Sequence, residues 1–282
     1  MANLLLSAFA DEYSDNFSEQ LTALKNFGIS NIELRHADGK NISEMSKNEV
    51  KILKNELDAF GISVSSIGSP IGKISLYGDI KTHIELAKRV FEGACILDTS
   101  RVRMFSFYIP DGKSCDDCRE QVLSYLGDLV VEAEKYGILL CHENEAKIYG
   151  ESPSRCLDIL RYFNGRLKAV FDMGNFVLDG YKPYPDAYRM LYPYIEYFHI
   201  KDSLYRGAIV PAGCGEASIQ EILDDFRIRS DKDAYITLEP HLETFAGLNA
   251  LVGKSFENPY KYNNQKEAFS DAVVKLKGIL FK

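Results

Sequence analysis

The chain has 282 residues, of which 46% are hydrophobic and 26% charged, and 41 acidic against 33 basic side chains give a net charge of −8. This apolar content excludes wholesale disorder, because a chain of this length can bury a sizeable core. The acidic balance argues against a nucleic-acid partner, since neutralising phosphates requires a basic surface. It also leaves no basic patch for an anionic membrane.

No segment of the sequence predicts a membrane span or an export signal. The apolar run at residues 4–6 is too short for a secretory signal, and no stretch reaches the ~18 apolar residues of a membrane helix. Six cysteines are too few for a disulfide framework. Cys115 and Cys118 form a C-x-x-C pattern, which a polar helix start explains better than a zinc site without further ligands. We therefore expect a cytoplasmic protein.

Short β-type runs alternate with amphipathic helical stretches along the chain. We predict strands at residues 4–9, 31–34, 62–67, 102–107, 138–141, 167–171, 197–200 and 235–238. The first helix begins after the cap Asn16, with Glu19 three residues on, and ends at Gly28. Further helices are predicted at residues 49–60, 80–94, 120–136, 154–163, 185–191, 218–226 and 265–280.

The number of strand–helix units indicates the fold. Eight units in 282 residues give 282/8, or about 35 residues each, the size of a βα repeat in a closed barrel. An open, doubly wound sheet is the competing architecture, but no G-x-G-x-x-G pattern follows the first strand. No linker interrupts the alternation. We predict an α/β fold, a single (β/α)8 TIM barrel, with residues 1–282 as one domain.

Polar side chains stand at the ends of four consecutive predicted strands. Glu143 follows the fifth strand, Asp172 the sixth, His199 lies in the seventh and Glu239 follows the eighth, at intervals of 29, 27 and 40 residues. A single residue of this kind is more often a helix cap or an ion-pair partner than a metal ligand. Because the carboxyl ends of barrel strands meet at one mouth, however, four in register predict a site.

The composition of this set predicts a divalent metal ion. Three carboxylates in a partly desolvated mouth repel one another, and a cation removes that conflict. Three oxygen ligands and one nitrogen ligand, with open positions for water or substrate, suit Mn²⁺, which we expect, or else Mg²⁺, Co²⁺ or Zn²⁺. The set does not resemble a closed structural zinc site.

Several longer segments resemble those of a known family. They are Ile32-Glu33-Leu34-Arg35, Ser69-Pro70-Ile71-Gly72-Lys73, Cys141-His142-Glu143-Asn144-Glu145, Phe171-Asp172-Met173-Gly174-Asn175, His199-Ile200-Lys201-Asp202, Pro211-Ala212-Gly213-Cys214-Gly215-Glu216 and Leu238-Glu239-Pro240. The chain is identified on these segments as a member of the sugar phosphate isomerase/epimerase family, barrels related to xylose isomerase and similar to ketose 3-epimerases. The resemblance implies the same four metal ligands as the spacing.

Four further residues are candidates for binding substrate. Ketose epimerases carry a histidine three residues after the metal-binding aspartate, where this chain has Asn175, which can hydrogen-bond a hydroxyl but cannot act as an acid or base near pH 7. Arg206 lies roughly where relatives place a substrate-contacting arginine. Lys201 and Glu145 each lie two residues beyond a metal-ligand position, and strand alternation turns them toward the same side.

These residues predict proton transfer next to a carbonyl. A metal-bound ketose, aldose or sugar phosphate forms an enediolate, for which the cation acts as a Lewis acid. Glu143 and Glu239 come from strands three apart, so one removes the proton as catalytic base and the other returns it to the opposite face. The resulting reaction is epimerisation, or isomerisation if the proton returns to the neighbouring carbon. A free sugar is favoured over a phosphate, because the sequence has no Gly-rich phosphate-binding loop.

Three alternatives stay open at this stage. The same ligands serve a metal-dependent dehydratase of a keto-inositol or related polyol. A phosphodiesterase resembling abasic-site endonucleases would need more histidine ligands and a basic face, so the total of only five histidines and the net charge of −8 disfavour it. The presence of all four ligands disfavours a non-catalytic sugar-binding barrel. The resemblance implies a homo-oligomer, a dimer or tetramer, and the charge balance predicts no nucleic-acid or membrane partner. Residues 246–264 are predicted to form a long loop that borders the site or a partner subunit.

Overall fold

Eight parallel β-strands form the centre of the computed structural model, which describes residues 1–243 and 259–281. We number the barrel strands β1 to β8 in chain order and leave two short hairpins unnumbered. The strands are Leu4–Ala8, Asn31–Leu34, Ser63–Gly68, Arg101–Met104, Leu139–Glu143, Leu167–Asp172, Ile195–Ile200 and Ala234–Leu238. All eight predicted strands are present, and their ends differ from the prediction by three residues or fewer.

The strands close almost completely into a barrel. Parallel hydrogen bonding joins them in the order β2, β3, β4, β5, β6, β7, β8, β1. β1 and β2 lie side by side at the remaining seam, where the side-chain amide of Asn31 donates to the carbonyl oxygen of Leu6 at 3.1 Å. The predicted (β/α)8 TIM barrel is therefore confirmed, and the open-sheet alternative is wrong.

Helices connect the strands, and local sequence signals set their ends. We number them α1 to α9: Phe17–Asn26, Lys47–Phe60, Ile80–Ile96, Cys115–Glu134, Pro153–Phe163, Met173–Leu178, Tyr188–Leu191, Ile219–Arg229 and Gln265–Leu280. The predicted cap at α1 is confirmed, since Asn16 Oδ1 accepts a hydrogen bond from the Glu19 amide at 3.0 Å. Gly61 ends α2 in the left-handed conformation.

Two helices differ from the prediction for the same physical reason. α4 begins at Cys115 instead of residue 120, because Ser114 and Asp117 form a reciprocal capping box. α6 is absent from the prediction and follows β6 directly. Asp172 caps it by accepting a hydrogen bond from the Asn175 amide at 2.8 Å. Capping side chains therefore start α4 earlier than the apolar pattern indicates and start α6 where that pattern indicates no helix.

The interior of the barrel is packed in layers along the strands. Cys141, Val170 and Tyr197 form a small buried cluster apart from the main core. Each lies two residues before a predicted metal ligand at the end of β5, β6 or β7, so strand alternation places both on the inner side. An apolar layer thus lies beneath the polar residues at the mouth.

Part of the chain lies outside this description. The first 13 residues of the predicted loop 246–264 fall in the undescribed segment 244–258, and the assignment of residues 1–282 to one domain stays a prediction. Among the described residues, no helix is both long and apolar enough to cross a membrane.

A glycine in the loop after β3 offers a test of the packing at the mouth. Gly72 has φ +84°, and a Cβ there would overlap the backbone carbonyl of Phe105, whereas Gly61 (φ +68°) has no atom within 4 Å of a Cβ. We expect Gly61→Ala to lower the free energy of unfolding by ~1–2 kcal/mol, the cost of the left-handed conformation. Gly72→Ala adds a backbone clash and should lower it by ~1–3 kcal/mol more. Urea unfolding of both variants checks this, and equal losses would contradict the close approach.

Candidate metal centre at the mouth of the barrel

The four side chains predicted from the strand ends meet at one point. Glu143 is the last residue of β5, Asp172 the last of β6, His199 the last but one of β7, and Glu239 directly follows β8. One ligand atom from each lies within 4.8 Å of the others, and all four residues are buried. The structure therefore brings together the whole predicted set.

His199 lies at the centre of this group. Its Nδ1 lies 3.0 Å from Glu143 Oε1 and 3.2 Å from Glu239 Oε2, while Nε2 lies 3.1 Å from Glu33 Oε2. Burial alone would lower the pKa of the imidazole, but Glu143, Glu33 and Glu239 outweigh it and raise that pKa well above 6.5. The ring thus favours a positive charge, either as a proton or as an ion at its nitrogen.

The two glutamates have similar surroundings. Glu143 turns Oε1 toward His199 and Oε2 toward Arg103 Nη1, 3.0 Å away. Glu239 turns Oε2 toward His199 and Oε1 toward Arg35 Nη1, also 3.0 Å away. Each carboxylate therefore has one oxygen at the cluster centre and one oxygen held by a guanidinium.

The charged neighbours keep both glutamates ionised despite their burial. Burial alone would raise the pKa of Glu143, but His199 and Arg103 outweigh this effect and lower the pKa to about 2. Burial likewise raises the pKa of Glu239, but Lys201 and the histidines at 241 and 199 outweigh this effect and bring the pKa well below 4.5. Two anionic carboxylates are consequently present in a site almost without solvent.

Asp172 and Lys201 form the third side of the centre. Lys201 Nζ donates to Asp172 Oδ2 at 2.9 Å, to Asn175 Oδ1 at 3.0 Å and to Glu239 Oε2 at 3.2 Å. Burial is the main cause that raises the pKa of Asp172 to about 7. Lys201 lowers this pKa, but the negative charges of Glu143 and Glu239 oppose that lowering. Asp172 uses its other oxygen, Oδ1, to cap α6, so only Oδ2 faces the centre.

The residues present fit a divalent cation. On an octahedral ion with bonds of ~2.1 Å, neighbouring ligands lie ~3.0 Å apart. The distances from His199 Nδ1 to Glu143 and Glu239, 3.0 and 3.2 Å, have this size. Carboxylate oxygens with one imidazole nitrogen are donors that Mn²⁺ and Mg²⁺ accept. A cation at this point would also offset the repulsion among the three carboxylates.

An aromatic and cationic wall surrounds the centre. The ring of Phe9 packs edge-on against His199, with the ring centroids 5.2 Å apart. The guanidinium of Arg35 lies 4.3 Å from the centroid of the same Phe9 ring, and that of Arg103 lies 4.8 Å from the Phe105 centroid. Phe9 thus supports both the histidine and Arg35, which limits the freedom of these groups.

The predicted substrate-binding residues divide into two pairs. Asn175 and Lys201 are buried within the cluster. Glu145 lies outside it and pairs with Lys73 at 3.0 Å. Arg206 is exposed in the turn between the short strands Asp202–Leu204 and Ala208–Val210, so the structure does not bring it to the centre.

Three central residues were missed by the sequence prediction: Glu33, Arg35 and Arg103. Each is buried, with 1%, 8% and 5% of its surface exposed. A signal was present for two of them, because Arg103 stands between Val102 and Met104 in β4, and Glu33 follows Ile32 in β2. A charged residue within an apolar barrel strand indicates an inward-facing site residue.

Solved structures share this barrel at low sequence identity. The probable 3-DHS dehydratase AsbF from Bacillus anthracis is 16% identical, with a TM-score of 0.73 over 100% of both chains. D-psicose 3-epimerase from Clostridium cellulolyticum H10, solved with D-tagatose, is 14% identical, with a TM-score of 0.74 over 99% of both chains. A xylose isomerase-like TIM barrel protein from Mycobacterium smegmatis, in complex with magnesium, is 13% identical, with a TM-score of 0.70 over 99% of this chain and 97% of that one. These likenesses show the fold.

The sequence itself identifies the family. No curated protein sequence matches the chain. Residues 21–257 match the family described as xylose isomerase-like TIM barrels. This match covers most of the chain and agrees with the barrel and with the resemblance drawn from the motifs. The protein belongs to the xylose isomerase-like TIM barrel family.

Proposed function

We propose that the protein is a divalent-metal-dependent isomerase or epimerase of a ketose, an aldose or a sugar phosphate. The observation that carries the proposal is the meeting of ligand atoms from Glu143, Asp172, His199 and Glu239 within 4.8 Å at the barrel mouth. These four residues would hold the ion, with His199 contributing Nδ1. When bound, the ion supplies Lewis acidity toward a carbonyl and its neighbouring hydroxyl. Mn²⁺ stays our prediction for its identity.

The two glutamates are the groups that move the proton. Glu143 Oε1 and Glu239 Oε2 face the cluster centre. The second oxygen of each accepts a hydrogen bond from Arg103 or Arg35 and keeps a further lone pair with which it exchanges a proton with substrate. The residues come from β5 and β8, so they reach a sugar held between them from different sides. One glutamate accepts the proton from carbon and the other returns a proton to the opposite face, which inverts the centre.

The arginines and Lys201 support this step by fixing the carboxylates. His199 and Arg103 lower the pKa of Glu143, and Lys201 lowers that of Glu239, so both glutamates are anionic, the form in which a base accepts a proton. Lys201 holds Asp172 and Asn175 in place. Because the amide of Asn175 is already engaged with Lys201 and with the Asn144 carbonyl, 2.9 Å away, we assign it a structural part as well as the predicted contact to a hydroxyl.

A metal-dependent dehydratase of a keto-inositol or related polyol is the second candidate. The observation that favours it is Lys201, whose buried Nζ lies among Asp172, Asn175 and Glu239. If the ammonium group exchanges its hydrogen bond to Asn175 for one to a substrate hydroxyl, it can transfer that proton as the C–O bond breaks. The hydroxyl then leaves as water and Lys201 becomes neutral. The absence of an acid–base side chain at Asn175 also removes one proton carrier that ketose epimerases have.

The remaining predictions concern partners and location. Substrate binding by Glu145 and Arg206, a small sugar or polyol as ligand, a homo-oligomeric state and a cytoplasmic location all stay predictions. The net charge of −8 still argues against a nucleic-acid partner.

Proton exchange in D₂O tests the proposed reaction. The protein is stripped of metal, reloaded with Mn²⁺ and incubated with a panel of ketoses and aldoses, and the recovered sugars are freed of metal and analysed by NMR. We expect metal-dependent deuterium incorporation beside the carbonyl, with formation of a new sugar. The labelled carbon distinguishes an epimerase from an isomerase. A parallel incubation contains a keto-inositol, and loss of water from it with no new sugar formed from the panel would instead support the dehydratase.

Substitution of one glutamate tests the proton transfer itself. Glu239→Gln keeps the size of the side chain but removes the base, so we expect kcat to fall by ~10²–10⁴-fold with an unchanged circular dichroism spectrum. The control is Glu216→Gln, which lies after β7 outside the cluster, where Glu216 Oε2 accepts a hydrogen bond from the Tyr205 amide at 2.7 Å. The control should retain its kcat. Wild-type turnover by Glu239→Gln would remove this residue from the mechanism.

A further inference from the structure

Glu33 approaches the candidate metal centre from β2, outside the four strands that supply the ligands. Its side chain is completely buried. Oε2 lies 3.1 Å from His199 Nε2, and Oε1 accepts a hydrogen bond from the Tyr197 hydroxyl at 2.9 Å. The Tyr197 hydroxyl in turn lies 3.0 Å from Ser66 Oγ of β3. Both oxygens of this carboxylate therefore have a partner, and one partner is the histidine ring.

The proton of a neutral imidazole can be carried by either ring nitrogen, and the partner of each nitrogen decides which one carries it. Glu33 accepts a hydrogen bond from the Tyr197 hydroxyl through Oε1, and its Oε2 can accept a second one from His199 when Nε2 carries the proton. His199 Nε2 is then protonated, and in the neutral ring Nδ1 keeps a lone pair. That lone pair points toward Glu143 Oε1 and Glu239 Oε2, 3.0 and 3.2 Å away. Such an arrangement is repulsive unless a proton or a metal ion lies between the nitrogen and the oxygens.

We infer that Glu33 is a positioning residue, which fixes the Nε2-protonated form of His199 and so presents Nδ1 to a divalent metal ion. This inference rests on the proposed metal centre. A carboxylate behind a metal-binding histidine orients the ring and raises the basicity of the ligand nitrogen, and its loss typically costs ~10–100-fold in metal affinity. Tyr197 and Ser66 hold Glu33 in the required orientation.

Packing alone does not account for this contact. The His199 ring is held edge-on by Phe9 and by Tyr197, with centroid distances of 5.2 and 5.6 Å. These aromatic contacts position the ring but cannot choose between its two nitrogens. With a metal ion at Nδ1, the ring keeps its proton on Nε2, and Glu33 is the residue that accepts the hydrogen bond from this nitrogen.

Calorimetric titration with Mn²⁺ alone tests the inference. Glu33→Gln keeps the shape of the side chain and removes its charge, and we expect the dissociation constant for Mn²⁺ to rise by ~10–100-fold. The matched control is Glu196→Gln in β7, since Glu196 lies three residues before His199 and pairs instead with Arg101 at 2.8 Å. The control should bind Mn²⁺ with a dissociation constant within about twofold of the wild-type value, because Nε2 of His199 keeps its carboxylate partner.

The outcomes separate the inference from the proposed function. Equal Mn²⁺ affinity of the wild type and Glu33→Gln would overturn the role of Glu33 and leave the metal centre intact. Failure of the wild type to bind Mn²⁺ would overturn both. If Glu33→Gln does not fold, ¹⁵N NMR of the Zn²⁺-loaded wild type decides the matter: a protonated Nε2 and a metal-bound Nδ1 on His199 support the inference, and the opposite arrangement contradicts it.

Discussion

The structure depends on one electrostatic constraint, the gathering of negative charge inside an apolar barrel. Four carboxylates, those of Glu33, Glu143, Asp172 and Glu239, have at most 2% of their surface exposed. Ionised groups so deprived of water are stable only when each is paired or hydrogen-bonded. Arg35, Arg103, Lys201 and His199 supply these partners, and nearly every contact at the mouth follows from this pairing. A divalent ion would complete the compensation at the point where His199 Nδ1 meets two carboxylate oxygens.

The fold and the first four site residues could be predicted because both depend on periodicity along the chain. Repeated βα units of about equal length gave the barrel, and the register of the strand ends placed Glu143, Asp172, His199 and Glu239 at one mouth. A polar residue at a strand end is more often a helix cap than a metal ligand, but Asp172 shows that the two roles do not exclude each other. Asp172 caps α6, since its Oδ1 accepts a hydrogen bond from the Asn175 amide, and its second oxygen still faces the centre. One carboxylate serves both purposes.

Residues that act across the barrel could not be placed from the sequence. The contact between Glu33 and His199 joins strands that are far apart in the chain, and the pairing of Arg35 with Glu239 reaches from the end of β2 past β1 to the end of β8. No local sequence pattern indicates which charged side chains will contact one another when the sheet closes into a barrel. Substrate binding by Arg206 stays a prediction, because this residue lies exposed in the turn of a short hairpin, where no strand register fixes its position. Spacing predicts position on a strand better than position in a loop.

The claim that these carboxylates are collected to hold a divalent ion is tested most directly by crystallography. Crystals grown with MnCl₂ would be measured at the manganese absorption edge, and an anomalous difference map would locate the ion without reference to activity. The account predicts one strong peak bounded by Glu143, Asp172, His199 Nδ1 and Glu239. A map with no peak there, while Lys201 still bridges Asp172 and Glu239, would contradict it and show that the lysine and arginines alone balance the buried charge.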